Sequence, residues 1–153
     1  MKIAEVETIP LAIPFTHGGK PAGWGGKAWT SLSVLLVKVT TEEGVTGYGE
    51  AFSYNCLRSV QAAFDDMVAP IVVNQEVDDI GIFLAEVQQK LHLFGRYGIV
   101  MFALSGLDIA LWDISAKTVN MPLWRLFGER RRDRLPAYAS LFPYGEPEIV
   151  AKR

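Results

Sequence analysis

Cysteine and histidine are scarce in this sequence, and neither sign of charge dominates it. The 153 residues include one cysteine, Cys56, and two histidines, so an internal disulfide framework and a multi-thiolate zinc site are excluded. The 17 acidic side chains nearly balance the 15 basic ones, which leaves no overall positive field to attract nucleic acid or an anionic membrane. A single thiol is typical of proteins from a reducing compartment, and we therefore expect a cytoplasmic protein.

Long uncharged apolar runs are also missing. Residues 99–119 are the most apolar stretch, but they include Asp108, Asp113 and Lys117. Each central aspartate would cost about 2.5–3.5 kcal/mol in lipid, so we predict a buried helix here and no membrane span. The first residues alternate between apolar and polar side chains, so we expect no signal peptide. Half of the residues are apolar, which is enough to form a core.

The first 53 residues predict a small antiparallel meander. Pro10 and Pro14 are expected to limit how far the first strand can pair. Residues 33–40, rich in β-branched side chains, predict the second strand, and residues 45–52 predict its partner across a hairpin turn at Gly44. Between the first two strands, a stretch with five glycines at 16–26 predicts a long mobile loop.

After residue 54 the apolar repeat changes from two to about 3.6 residues, which predicts three helices. The first is expected to end at Pro70, and the second to begin at Asp78 and Asp79, where the helix dipole favours acids. The third, over residues 99–119, is apolar almost all round and is predicted to be the central buried element. The fold class is therefore α+β, a three-stranded antiparallel meander followed by a helical bundle.

The composition changes after Gly128. Residues 129–134 are mostly charged and predict a solvated turn between domains. Residues 135–141 predict a strand, and proline with acids near residue 147 predicts the start of a helix. Because this strand and partial helix have no later partners in the sequence, we predict that residues 129–153 are part of a unit completed elsewhere.

Two neighbouring motifs carry a resemblance to a known family. Residues 103–117 (ALSGLDIALWDISAK) and 121–128 (MPLWRLFG) resemble the amino-terminal domain of the enolase superfamily. The mandelate racemase and muconate lactonizing branch is the most similar. The hairpin GYGEA at 47–51, the glycine-rich loop before the long strand, and RLPAYAS at 134–140 agree with it.

The resemblance implies a two-part enzyme. Residues 1–128 would form the capping domain, and residues 129–153 the first strand and the start of the first helix of a truncated (β/α) barrel. Enzymes of this family remove a proton next to a carboxylate, and a bound Mg²⁺ stabilises the resulting dianion. The catalytic lysines and metal carboxylates lie on later barrel strands, so we expect neither a catalytic residue nor a metal site here, and no activity from this chain alone.

The expected activity of the whole enzyme is that of a sugar-acid dehydratase, because polar side chains accompany aromatic ones in the capping loop. A racemase, epimerase or muconate-type cycloisomerase of the same family is the close alternative. From another class, a non-catalytic binding or assembly domain is the alternative. The expected partners are a small carboxylate substrate (a sugar acid), the protein's own barrel domain and further copies in a homo-oligomer, with no nucleic acid and no membrane.

The resemblance also implies that two loops line the substrate pocket. Glycines let the first loop move, aromatic side chains exclude water, and polar side chains bind substrate groups. The residues predicted to bind substrate are His17, Lys20, Trp24, Phe52, Tyr54, Asn55 and Ser140. Trp29 is expected to add a further apolar wall.

Other chemically capable residues are interpreted as structural. Glu50, at a strand end, is expected to make a structural contact. Asp108 and Asp113 are five residues apart and project from different faces of a helix, so they share no metal. Asp113 and Lys117 form an i, i+4 ion pair. Cys56 is expected to pack as a small apolar side chain.

Overall fold

A computed structural model describes residues 1–15, 29–129, 132–139 and 147–152. The amino-terminal part is an antiparallel sheet in the order β1-β2-β3, which confirms the predicted meander. Its strands are β1 (Ile3–Pro14), β2 (Ser31–Thr41) and β3 (Thr46–Ala51). In the hairpin between β2 and β3, Gly44 has a φ of 81° and donates its N–H to the Thr41 carbonyl at 2.9 Å.

Pro10 and Pro14 lie inside β1 and do not limit its pairing, which runs as far as the Pro14–Ser31 pair. The expectation from the sequence was therefore wrong. The Phe15 N–H donates to the Thr30 carbonyl at 2.9 Å, and hydrogen-bonded and non-hydrogen-bonded pairs alternate along an antiparallel ladder. Both prolines consequently occupy non-hydrogen-bonded positions on an edge strand, where a missing N–H removes no ladder bond.

The first helical segment is interrupted by a wider turn and continues past Pro70. It consists of α1 (Leu57–Ala63), a π-helical turn (Phe64–Val68) and α2 (Ala69–Val72). The prediction that Pro70 ends this helix is wrong. The Ala69 N–H donates to the Phe64 carbonyl five residues back, and Pro70 follows within the first two positions of α2. A proline is tolerated at a helix start because its N–H would have no partner there.

The next two helices match their predictions. Asp79 is the N-cap of α3 (Ile80–Lys90), and its side chain accepts a hydrogen bond from the Ile82 N–H at 2.9 Å. The helix α4 (Ile99–Thr118) ends before Asn120, which has a φ of 51°. Nine residues of α4 are buried, so it is the central helix of the domain.

The helix α4 contacts β3 almost backbone to backbone through three glycines. A Cβ atom at Gly49 would overlap the Gly106 carbonyl oxygen, and one at Gly47 would overlap that of Ala110. A Cβ atom at Gly106 would lie 2.6 Å from Cγ2 of Val37, closer than real Cβ atoms approach. Gly106 of the helix motif and Gly47 and Gly49 of the GYGEA hairpin are therefore required by the packing of sheet and helix.

The core lies between the sheet and the helices. Its largest fully buried side chains include Ile3, Leu35, Val37, Phe64, Leu107, Leu111 and Ile114. By length and composition α4 could cross a membrane, but half of its most apolar window is buried inside the domain. This burial supports the interpretation of α4 as a core helix of the domain.

Two short helices follow α4, namely α5 (Leu123–Leu126) and α6 (Pro147–Ala151). Residues 132–139 have no regular secondary structure, and the side chains of Leu135 and Tyr138 are 73% and 89% exposed. The strand predicted over residues 135–141 is thus not formed at residues 135–139. A lone strand is not stable without a neighbouring strand to satisfy its backbone, and the assignment of residues 129–153 to a second unit stays a prediction.

Candidate functional site

The chain leaves the sheet at Ala51 and enters a tight turn before α1. The Cys56 N–H donates to the Ser53 carbonyl at 3.1 Å, which closes the turn. Asn55 occupies the left-handed region with a φ of 54°, a conformation that asparagine adopts more readily than most residues. Ser53 is buried, and its hydroxyl donates to the Ser33 carbonyl of β2 at 3.5 Å. The turn is therefore attached to β2 beyond the end of β3.

Five aromatic rings form a connected cluster near this turn, in which Phe15 meets Trp29 edge to face at 6.4 Å. The rings of Trp29 and Tyr54 meet edge to face with centroids 5.4 Å apart, and Tyr54 is stacked with Phe52 at 6.5 Å. Phe52 in turn meets Phe102 of α4 edge to face at 4.9 Å. Phe52 and Tyr54 are nevertheless half exposed, at 53% and 46%. Such exposure of large rings held by their neighbours is a feature of binding surfaces.

The cluster forms one side of an open cleft of about 400 Å³. The opposite side is the first part of β2. The lining consists of Trp29, Thr30, Ser31, Leu32, Ser33, Val34, Glu50, Phe52, Ser53, Tyr54 and Asn55. Among the described residues, Glu50 is the one charged side chain in this lining. The cleft thus combines aromatic surface with hydroxyl, amide and backbone groups, the combination that ligand sites use for affinity and orientation.

The structure brings three of the predicted substrate-binding residues together, since Phe52, Tyr54 and Asn55 all line the cleft. Trp29 lines it as well. The other four predicted residues, His17, Lys20, Trp24 and Ser140, lie outside the described residues.

Sequence reasoning missed the β2 side of the cleft, from Thr30 to Val34. The signal that could have found it is the unequal length of two paired strands. Because β2 has 11 residues and β3 has 6, part of β2 must extend beyond its partner.

Of the residues interpreted as structural, Asp108, Asp113 and Cys56 have identifiable contacts, whereas the structural contact expected of Glu50 stays a prediction. Asp113 and Lys117 form the expected ion pair at 2.7 Å. Burial raises the pKa of the Asp108 carboxyl group, and a hydrogen bond with Trp112 partly opposes this rise. Cys56 is partly buried against the core, next to the start of α1. Glu50 is exposed at the mouth of the cleft.

Acidic and histidine side chains are dispersed over the part of the chain that the structure describes. No group of three or more histidine, cysteine, aspartate or glutamate side chains that could hold a metal ion occurs there. Mg²⁺ requires several oxygen ligands in near-octahedral geometry. The described residues therefore do not fit a magnesium site.

Comparison with known proteins places this arrangement in a family. Residues 20–128 match the model of the mandelate racemase / muconate lactonizing enzyme N-terminal domain. The chain is 29% identical to an arabinonate dehydratase of Saccharolobus solfataricus over 127 residues, which are 83% of this chain and 34% of the relative. It is 39% identical to a D-galactonate dehydratase of Xanthomonas euvesicatoria pv. vesicatoria over 107 residues, 68% of this chain and 27% of the relative.

A solved structure shows the same fold. It is a mandelate racemase/muconate lactonizing protein from Paracoccus denitrificans PD1222 complexed with magnesium, with 30% identity and a TM-score of 0.68. The match covers 88% of this chain and 32% of that one. The chain thus spans about a third of the length of the proteins it matches. The matched domain model and the shared fold together show that this chain belongs to the mandelate racemase / muconate lactonizing enzyme family of the enolase superfamily, of which it contains the amino-terminal domain.

Proposed function

We propose that this chain is the capping domain of a Mg²⁺-dependent sugar-acid dehydratase. Two relatives are dehydratases of arabinonate and D-galactonate, both of which are sugar acids. A dehydratase of this kind removes the proton next to the carboxylate and expels a hydroxyl group as water. Catalysis of the first step needs a base and an electrophile, and we assign both to the barrel.

The cleft beside the turn at Ser53–Cys56 is the observation that carries this proposal. Its aromatic side, formed by Trp29, Phe52 and Tyr54, can exclude water and contact the C–H groups of a sugar chain. The Asn55 amide can donate and accept hydrogen bonds, as recognition of hydroxyl groups requires. The role of this chain is thus to bind and orient the substrate and to keep water away from the reacting end.

Several parts of the proposal concern residues or partners beyond the described structure. We propose that His17, Lys20, Trp24 and Ser140 complete the pocket. The magnesium in the solved relative supports Mg²⁺ as the cofactor, and because the described residues do not fit this ion, we assign its ligands to the barrel. Association with that barrel, homo-oligomerisation and a cytoplasmic location are further parts of the proposal.

A domain exchange tests the capping function. Residues 1–128 would replace the corresponding domain of the Xanthomonas D-galactonate dehydratase, and dehydration of a panel of aldonates would be measured. We expect an active hybrid whose substrate preference differs from that of the parent enzyme. The parent enzyme and the isolated 153-residue chain are the controls, and we expect the isolated chain not to exchange the α-proton of any substrate.

Three results of this exchange would contradict the proposal. A folded hybrid that dehydrates no aldonate would exclude a dehydratase cap. Racemisation or cycloisomerisation in place of dehydration would assign the cap to another enzyme of the family. A hybrid with the unchanged substrate ranking of the parent would exclude the cap as a specificity element.

A further inference from the structure

Among the residues that the structure describes, no strand pairs on the β3 side with the part of β2 that lines the cleft. The last pair between these strands is Leu35–Ala51, so residues 31–34 of β2 extend beyond β3. On the other side β1 remains paired with β2 as far as Ser31. With respect to the described part of the chain, this stretch is therefore an open sheet edge, and the aromatic cluster forms the opposite side of the cleft.

The direction of each backbone group on this edge follows from two observed hydrogen bonds. The Phe15 N–H donates to Thr30, so even-numbered residues of β2 bond to β1. The Thr41 N–H donates to Val45, so odd-numbered residues bond toward β3. The backbone N–H and C=O groups of Ser31 and Ser33 consequently point toward the space that a longer β3 would occupy.

Within the described ranges of the chain, most of these groups have no hydrogen-bond partner. Among the described residues, the Ser33 carbonyl accepts the Ser53 hydroxyl at 3.5 Å, and no hydrogen bond reaches the N–H of Ser31 or Ser33. Unpaired backbone donors next to apolar surface gain free energy when a ligand supplies an acceptor. The two donors belong to residues i and i+2 of one strand, so they lie about 6.8 Å apart. This spacing suits a ligand several carbon atoms long.

The charge of the cleft decides which end of a sugar acid it accepts. Glu50 is the charged side chain of the lining among the described residues, and no lysine or arginine of the described part lines the cleft. A carboxylate would be repelled by Glu50, whereas a hydroxyl group can donate to it. The described lining is therefore suited to the neutral, hydroxylated end of the substrate.

We propose that the open β2 edge at Ser31 and Ser33 is a hydrogen-bonding site for the distal hydroxyl groups of a polyhydroxy carboxylate. This inference rests on the proposed capping function and extends it to specific backbone groups. Hydroxyl oxygens accept hydrogen bonds from the two N–H groups, the Glu50 carboxylate accepts a hydrogen bond from a hydroxyl group, and Tyr54 covers the carbon chain. The sheet edge, together with the loop side chains, then discriminates between substrates by their chain length and hydroxyl configuration.

The experiment is an amide-resolved NMR titration of the 153-residue chain with three probes: D-galactonate, its uncharged alditol galactitol, and acetate. We expect D-galactonate and galactitol to shift the Ser31 and Ser33 amide signals, and acetate to leave them unchanged. Shifts with acetate and none with galactitol would overturn the proposal, because they would show recognition of the carboxylate.

A substitution separates the backbone contribution from the hydroxyl contribution. Ser31→Pro removes the N–H that points into the cleft, and it preserves the β1 ladder because Ser31 occupies a non-hydrogen-bonded pair with Pro14. We expect galactitol binding to weaken several-fold, up to about tenfold. The control Ser31→Ala removes the same hydroxyl group but keeps the N–H, so the difference between the two variants measures the contribution of the N–H. Equal affinities of Ser31→Pro and Ser31→Ala would overturn the proposal.

The titration tests the open-edge proposal and the domain exchange tests the capping function, so the two outcomes can be distinguished. If the hybrid enzyme dehydrates aldonates and the Ser31 and Ser33 amides do not respond, the open-edge proposal is wrong and the capping function stands. If the hybrid is inactive and no residue of the cleft responds to any polyol, both are wrong.

Discussion

Asp113 of α4 accepts a hydrogen bond from the backbone N–H of Tyr48, with 2.9 Å between its Oδ2 atom and the nitrogen. Lys117 donates to the same carboxylate at 2.7 Å and to the Thr46 carbonyl at 2.9 Å. Tyr48 and Thr46 lie on β3, the second edge strand of the sheet. The ion pair of α4 thus satisfies outward backbone groups of an edge strand that could otherwise pair with another chain.

We expect Asp113→Ala to lower the free energy of unfolding by about 1–2 kcal/mol, because the Tyr48 N–H loses its acceptor. Asp113→Asn should have a smaller effect, since the amide oxygen still accepts. Urea denaturation of the variants provides the measurement. The control is Glu86→Ala, an exposed helical position without a described ion pair, which should stay within about 0.5 kcal/mol of the wild type. Equal changes in the free energy of unfolding for Asp113→Ala and Glu86→Ala would show that the Asp113 contact does not stabilise the fold.

A second prediction concerns the glycine contact between β3 and α4. Gly49→Ala would place a methyl group against the backbone of α4 at Gly106 and Ala110. Because neither backbone can move without shifting the sheet, we expect a loss of at least about 3 kcal/mol. Thermal unfolding measures it. The control Gly81→Ala adds a methyl group on the exposed side of α3, 3.3 Å from Oδ1 of Asp79, and should change stability by no more than about 1 kcal/mol in either direction. A Gly49→Ala variant as stable as Gly81→Ala would contradict the described packing.

A third prediction follows from the pKa of Asp108, which burial raises. The folded state then binds the proton more strongly than the unfolded chain, so stability falls as pH rises from the unfolded pKa through the folded one. We expect Asp108→Asn to be more favourable for stability at about pH 7 than at about pH 4.

Denaturant unfolding at both pH values measures this difference. Asp66→Asn, a substitution of an exposed helical carboxylate, is the matched control and should show a smaller dependence. An Asp108→Asn effect that is the same at both pH values would refute the linkage.

A fourth prediction concerns the aromatic side of the cleft in the hybrid dehydratase. Tyr54→Ala should raise KM more than it lowers kcat, because the ring contacts the part of the substrate away from the reacting carbon. Losing a large ring buried against ligand costs on the order of 1–3 kcal/mol. Trp24→Ala should act in the same way. Tyr97→Ala, whose side chain is 83% exposed outside the cleft, is the control. If Tyr54→Ala keeps the wild-type KM and substrate ranking, the turn is not a specificity element.

Features with local signals could be predicted from the sequence. The cap at Asp79, the hairpin at Gly44 and the burial of α4 each depend on a few neighbouring residues or on one helix period. The two errors that concern prolines share a different cause. Pro10 and Pro14 are tolerated because β1 is an edge strand, and Pro70 because a π turn precedes it. Edge position and helix irregularity arise from tertiary packing, which no local pattern encodes.

The candidate site was predictable only in part. The resemblance identified Phe52, Tyr54 and Asn55, which share one short segment. The opposite side of the cleft depends on the position along β2 at which β3 ends. This position follows from the register in which the two strands pair. Register is set by the contact of Gly47 and Gly49 with α4, some sixty residues later in the chain, so it could not be deduced from either strand alone.

The π turn at Phe64–Val68 links the number of residues in this helical segment to the presence of a proline after it. A turn closed by a bond to the fifth residue back holds one residue more than an α-helical turn. Deleting a single residue within this turn would restore a regular helix with the flanking segments facing as before, but Pro70 would then lie in its interior and clash with a carbonyl. The extra residue and the proline are therefore interdependent: the deletion should be tolerated together with Pro70→Ala and harmful without it.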